Sequence, residues 1–358
     1  MMRTRTAGAT AIAAALALAL GACGKEEDSG TGSSAKSGGG TDSAQQVKQQ
    51  GEGQCTVKEY GAKKVDLANA TVGFSQSEKE ANPFRIAETQ SIKDEAKKVG
   101  VKKLLTTNAN SQLAKQISDI QDMLAQGAQA LIVAPLNSEG LEPAFEAAKK
   151  KGVPVVTIDR KVGGDACDTW LTFIGSDFVE QGKRAADAMN KATGGKAKVA
   201  ILLGSSGNNV TTDRTKGFMD QIKAKAPGIK VVAQQTGEFA RDKGQQVTEQ
   251  LLQSNPDIDA IYAENDEMAL GAIVAVRGAG KKPGQDVKVV SIDGTANAVR
   301  AIVDGKINAV IESNPRFGPL AFKTLTDFMG GKGIPDQVII SDKEYDEGNA
   351  EAEVANAY

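Results

Sequence analysis

The chain has 358 residues, of which 40% are hydrophobic and 25% charged, with no histidine. The length predicts about two domains, and a net charge of -2 leaves no basic field for nucleic acid. Without histidine, a Ser-His-Asp triad, a Cys-His dyad, an HExxH zinc site and a His-ligated haem are all excluded, and the composition favours a binder over a catalyst.

Arg3 and Arg5 precede an apolar run from Ala7 to Leu20. That run is too short for a bilayer span but suits the apolar region of a secretory signal. It ends Leu20-Gly21-Ala22-Cys23, which resembles the bacterial lipobox. Residues 1–22 therefore read as a lipoprotein signal peptide and Cys23 as the lipidated first residue, with an ordinary signal peptide and an incidental Cys as the alternative. Residues 23–55 follow as a flexible tether. Between Gly24 and Gly53 the only large apolar side chain is Val47, too little to offset the entropy of ordering. Cys55 and Cys167 remain as an even pair in an oxidising compartment, predicted to form a disulfide, with two buried free thiols as the alternative.

From residue 70 onward, short β-branched runs alternate with amphipathic helical stretches. The predicted strands are Thr71–Ser75, Lys103–Thr107, Ala130–Ala134, Val153–Ile158, Leu171–Gly175, Lys198–Leu203, Lys230–Gln234, Ala260–Ala263, Val287–Ile292 and Ala309–Glu312. Between them, sets such as Leu113, Ile117, Ile120 and Leu124 keep helical spacing. Apolar strands separated by helices imply parallel sheets covered on both faces, so the fold class is α/β. Ten or more strands are uncommon in one open sheet, which predicts two doubly wound lobes, with the chain crossing back near Glu312–Pro315. The N-terminal lobe takes residues 68–175 and 314–337, and the C-terminal lobe 176–313 and 338–346.

Ligands of such sheets bind beyond the carboxyl ends of the strands. Ser75-Gln76, Asn108, Asp159-Arg160, Gly204-Ser205-Ser206, Asn265-Asp266 and Asp293 occupy those ends. Asp, Asn and Ser also serve there as helix caps and turn formers, but Arg160 caps no helix N-terminus. Forked donors and acceptors match vicinal hydroxyls, and Phe84 and Phe239 lie where they would cover a sugar ring. No Walker loop, no GxGxxG after the first strand, no EF-hand loop and no clustered Cys ligands are present.

These residues resemble the type I periplasmic sugar-binding proteins of bacterial ABC importers, in the ribose and galactofuranose branch. The resemblance is carried by Val72-Gly73-Phe74-Ser75-Gln76, Asn82-Pro83-Phe84-Arg85, Thr157-Ile158-Asp159-Arg160, Asp213-Arg214, Gly237-Glu238-Phe239, Asn265-Asp266-Glu267-Met268 and Ser291-Ile292-Asp293-Gly294, in that order. It implies two lobes joined by a three-segment hinge and closing on one monosaccharide, with Phe84, Arg85, Asp159, Arg160, Arg214, Phe239, Asn265 and Asp293 as ligand-binding residues. Gln76, Asn108 and Asn314 are further candidates. Arg85 stands where ribose binders have a second aromatic, and Glu312-Ser313-Asn314 replaces their hinge-side Gln. The expected protein is a monomeric, lipid-anchored, extracytoplasmic carrier delivering sugar to an ABC permease. It has no catalytic residue, cofactor, metal or nucleic-acid partner. The alternative is a sugar sensor docking on a membrane signalling receptor. With no histidine, affinity is expected to be nearly flat from about pH 5.5 to 8.

Overall fold

The structure, a computed structural model, describes residues 45–358 except residue 53; the predicted signal peptide, Cys23 and most of the predicted tether lie outside the described residues. Two sheets organise the body. The first contains β1 (Val47–Gln50), β2 (Thr71–Gln76), β3 (Lys103–Asn108), β4 (Ala130–Val133), β5 (Val155–Ile158), β6 (Thr172–Gly175) and β12 (Gln337–Ile340). Its order is β1-β12-β6-β5-β4-β2-β3. The second contains β7 (Ala197–Leu203), β8 (Ile229–Thr236), β9 (Ala260–Ala263), β10 (Lys288–Asp293), β11 (Ala309–Glu312) and β13 (Glu344–Asp346), in the order β13-β11-β10-β9-β7-β8. Among the strands of the described residues, only β1–β12 and β11–β13 pair antiparallel. Helices cover both faces, so β4, β5 and β6 are buried along their whole length, as parallel strands must be.

The first lobe is packed by α1 (Val57–Tyr60), α2 (Pro83–Val99), α3 (Leu113–Ala125), α4 (Glu142–Lys150) and α10 (Gly318–Met329). The second carries α5 (Phe178–Thr193), α6 (Asn209–Lys225), α7 (Arg241–Ser254), α8 (Asp266–Gly278), α9 (Ala296–Val303) and α11 (Ala350–Glu353). The chain passes between lobes three times, after β6, after β11 and after β12. Asp342 stitches these crossings together: its carboxylate accepts from the Ser176 hydroxyl at 3.0 Å and the Gln181 amide at 2.8 Å. The Gln181 amide also donates to the Glu312 carbonyl at 3.2 Å.

Two boundaries differ from the sequence reading. Residues 338–340, assigned to the second lobe, belong to the first: Val338, Ile339 and Ile340 complete the first lobe's packing, and β12 pairs with β6. The predicted tether also ends earlier. Residues 47–50 form β1 on the edge of β12, because pairing on a sheet edge requires main-chain groups and not apolar side chains. Cys55 and Cys167 are joined by a disulfide with Cα atoms 5.4 Å apart, fastening this segment to the loop before β6.

Helices α5 and α6 approach closely because glycines face each other across them. A Cβ on Gly182 would lie 2.2 Å from the Arg214 carbonyl oxygen, and one on Gly217 would lie 2.0 Å from that of Val179. This contact sets the depth of Arg214. Gly182→Ala is expected to force the helices apart and cost about 1–3 kcal/mol, read as a lower Tm; an unchanged Tm would show that the helix pair tolerates a methyl group.

Candidate functional site

Between the carboxyl ends of the two sheets lies a cleft lined from both lobes. Glu78, Asn82, Phe84, Arg85, Asp159 and Arg160 wall it from the first lobe. Val210, Arg214, Phe239, Asn265 and Asp293 wall it from the second. The lobes meet across its rim, where the Ser138 N–H donates to the Gly207 carbonyl at 3.0 Å and the Lys161 N–H to Asn209 Oδ1 at 2.9 Å. The arrangement is closed.

The first-lobe wall is a buried ion network. Asn82 caps α2, its Oδ1 accepting from the Arg85 N–H at 2.9 Å, and Pro83 begins the helix. That cap fixes the turn carrying Phe84 and Arg85 into the cleft. Arg85 Nη1 donates to Asp159 at 2.7 Å and to Glu88 at 2.8 Å, and its Nε donates to Glu78 at 3.0 Å. Arg160 Nη2 donates to the other oxygen of Glu78 at 2.7 Å, and its Nη1 to the Leu136 carbonyl at 3.0 Å. The Arg85 guanidinium also lies 5.0 Å from the Phe84 ring centroid. Asp159 sits at φ 65°, a left-handed conformation that Asp tolerates better than most residues and that turns the chain just past β5.

The second-lobe wall is built differently. Arg214 donates from Nε to Gln181 at 3.0 Å and lies 3.6 Å from an Asp293 oxygen. Asn265 caps α8 through Met268 at 2.9 Å, while its amide donates to the Phe239 carbonyl at 3.1 Å. Phe239 packs on Gly204, where a Cβ would fall 2.0 Å from the ring. Behind Asp293, the buried Asp266 accepts from the Ser291 hydroxyl at 2.6 Å and from the main-chain N–H groups of Gly294 and Thr295 at 2.9 and 2.7 Å. This holds the turn between β10 and α9.

All eight residues predicted to bind ligand therefore line one cleft. Gln76, Asn108 and Asn314 do not. Gln76 is buried behind it, donating to Glu88 at 2.8 Å; Asn108 donates to the Glu78 carbonyl at 2.7 Å; Asn314 lies in a crossing segment, where its Oδ1 accepts from the Arg316 N–H at 3.0 Å. Their amides are spent on positioning neighbours. Glu78, which clamps both arginines, was missed because Ser77-Glu78-Lys79-Glu80 reads as an exposed charged loop. Its place just beyond the carboxyl end of β2 was the available signal.

Burial raises several carboxyl pKa values in spite of the missing histidines. It pushes Glu264 and Asp342 up to about 7, Asp266 to about 6 and Glu88 to about 7, the last against Arg85. Asp293 is also pushed well up by burial, against the attraction of Arg214 and with the repulsion of Asp266 and Asp159 added. For Glu78 burial also pulls upward, but Arg160 and Arg85 outweigh it and hold the carboxyl at about 2. The expectation of a flat pH response assumed unperturbed carboxylates, and these groups remove that assumption. A carboxyl raised in the folded state contributes stability that is full below its unfolded pKa and lost as pH climbs past its folded pKa. Glu78 acts oppositely, its contribution present above about 4.5 and lost as pH falls toward 2. The Tm is therefore expected to peak near about pH 5 and to be lower at about pH 8; a Tm rising steadily across that interval would contradict these assignments.

Comparison with known proteins matches residues 72–333 to the family described as periplasmic binding protein domain. The galactofuranose-binding protein YtfQ of Escherichia coli (strain K12) is 35% identical over 278 residues, covering 76% of this chain and 86% of the relative. The ribose import binding protein RbsB of Bacillus subtilis (strain 168) is 38% identical over 265 residues, covering 74% and 83%. The periplasmic binding component of the arabinose ABC transporter from Shewanella sp. ANA-3, solved with α- and β-L-arabinofuranose, is similar with a TM-score of 0.76 at 35% identity, over 80% of this chain and 95% of that one. The protein is thus a solute-binding transport component and not an enzyme. The chain belongs to the periplasmic binding protein family, among the type I sugar-binding proteins of ABC importers in the ribose and galactofuranose branch.

Proposed function

We propose that this protein captures one monosaccharide in the closed cleft, in its furanose form, and hands it to an ABC permease while held to the membrane by lipid on Cys23. The observation that carries the reading is the convergence of Asp159, Arg160 and Arg85 from one lobe with Asn265, Asp293 and Arg214 from the other around a single cleft. Charged partners strengthen bonds to hydroxyls, and Phe84 and Phe239 offer apolar faces for the C–H side of the ring. The furanose form is supported by the galactofuranose and arabinofuranose named for two relatives, which share this chain's fold and about a third of its sequence. A ligand that touches both lobes stabilises only the closed state, which is how capture drives closure.

A thermal-shift screen of pentoses, hexoses and methyl furanosides tests the ligand class. A binder at about 100 times its Kd is expected to add about 2.7 kcal/mol of stability, and no shift with any of them would refute sugar binding. Asp159→Ala and Asp293→Ala, one in each lobe, are each expected to weaken that sugar at least about tenfold by calorimetry. Wild-type affinity in both would remove them from the site. For the anchor, Cys23→Ser is expected to release the protein from the membrane fraction; equal retention would locate the attachment elsewhere.

A further inference from the structure

The crossing after β11 is held by residues outside the stretch matched to the family. The Tyr358 hydroxyl donates to the Ser313 carbonyl at 3.1 Å, and its main-chain oxygen accepts from the Ala296 N–H, at the start of α9, at 2.7 Å. Tyr358 is thereby fixed to the second lobe. Its ring nevertheless meets Phe84 of the first lobe edge-on, with centroids 6.1 Å apart, and the Arg316 guanidinium lies 5.8 Å from the Tyr358 centroid. From the first lobe, Gln45 Nε2 donates to the carbonyl of Asn314 at 2.9 Å and to its Oδ1 at 3.2 Å. The next residue, Gln46, accepts from the Ser341 N–H at 2.7 Å in the crossing after β12.

We propose that Tyr358 and Gln45 are positioning residues for ligand capture, bracing adjacent hinge residues from opposite lobes and setting Phe84 in the cleft wall. Ser313 is tied toward the second lobe and Asn314 toward the first, so bending is confined to the junction between them. The Phe84–Tyr358 contact spans the lobes and favours closure, because it is lost when they separate. A bond that forms with closure slows ligand escape more than it speeds entry.

The test uses the full chain with Tyr358→Ala, Tyr358→Phe or Gln45→Ala. Hydrogen–deuterium exchange without sugar follows the Glu312 and Ser313 amides, which donate to the Lys343 and Asp293 carbonyls. Stopped-flow with methyl β-D-galactofuranoside and D-ribose gives association and dissociation rates. Both Ala variants are expected to exchange at least about fivefold faster at the two amides and to release the probe about fivefold faster, with association little changed. Tyr358→Phe keeps the ring against Phe84 but loses the hydroxyl, so it is expected to loosen the amides while dissociation stays within about twofold. Wild-type exchange in both Ala variants overturns the proposal. Faster exchange with unchanged dissociation overturns it too, as does a loss confined to Tm. Only the dissociation arm rests on the sugar reading: if neither probe binds the wild-type chain, that reading fails for these sugars, and the sugar-free exchange alone decides the brace.

Discussion

Glu78 lies between two guanidinium groups, and the first-lobe wall is organised around that arrangement. Arg85 and Arg160 are 3% and 2% exposed, deep enough that neither charge is solvated by bulk water. Each must be compensated by protein groups, and breaking such a pair by removing one partner typically costs about 3–5 kcal/mol. Glu78 serves both arginines, Asp159 and Glu88 share Arg85, and Gln76 tethers Glu88 from behind. Donors and acceptors held this way are already oriented for a ligand's hydroxyls, which lowers the ordering cost of capture. The network sets two guanidinium groups against three carboxyls, of which Glu88 is lifted to about 7, and offers no surplus positive charge, so the wall suits a neutral polyhydroxylated ligand better than an anion.

The opposite wall achieves the same end by packing and capping. Gly182 and Gly217 let α5 and α6 touch, setting the reach of Arg214. Asp266 gathers the turn after β10 and presents Asp293, whose φ of 141° lies where non-glycine residues are rarely found. Strain of this kind persists only where the surroundings enforce it, and the hydrogen bonds to Asp266 supply that enforcement. The two half-sites are joined by the three crossing segments, and those segments are themselves cross-linked through Gln181, Glu312 and Asp342.

Alternating apolar strands and helices made the α/β class legible, and polar residues at strand ends marked the cleft before any coordinates. Local chemistry was sufficient there because a strand's carboxyl end faces the site in any doubly wound sheet. Asp159, Asn265 and Asp293 were readable for this reason. Glu78 was not, since a charged loop looks the same whether it meets solvent or two buried arginines. The polarity of residues 47–50 likewise hid β1, because the free edge that it pairs with belongs to a strand almost three hundred residues away.

Sequence alone determined the element types, the two-lobe architecture, the absence of histidine chemistry and the identity of the side chains in the cleft. The element types, the two lobes and the missing histidine follow from periodicity and composition, which are local properties; the full set of cleft side chains, Arg85 and Arg214 among them, followed from the ordered motifs that carry the family resemblance. Only the tertiary structure decided which of those side chains line the cleft and which hold one another, where β12 belongs, and which carboxyls are lifted toward neutrality. Each of these depends on the desolvation and distance created when remote segments are brought together, and no local pattern encodes either quantity.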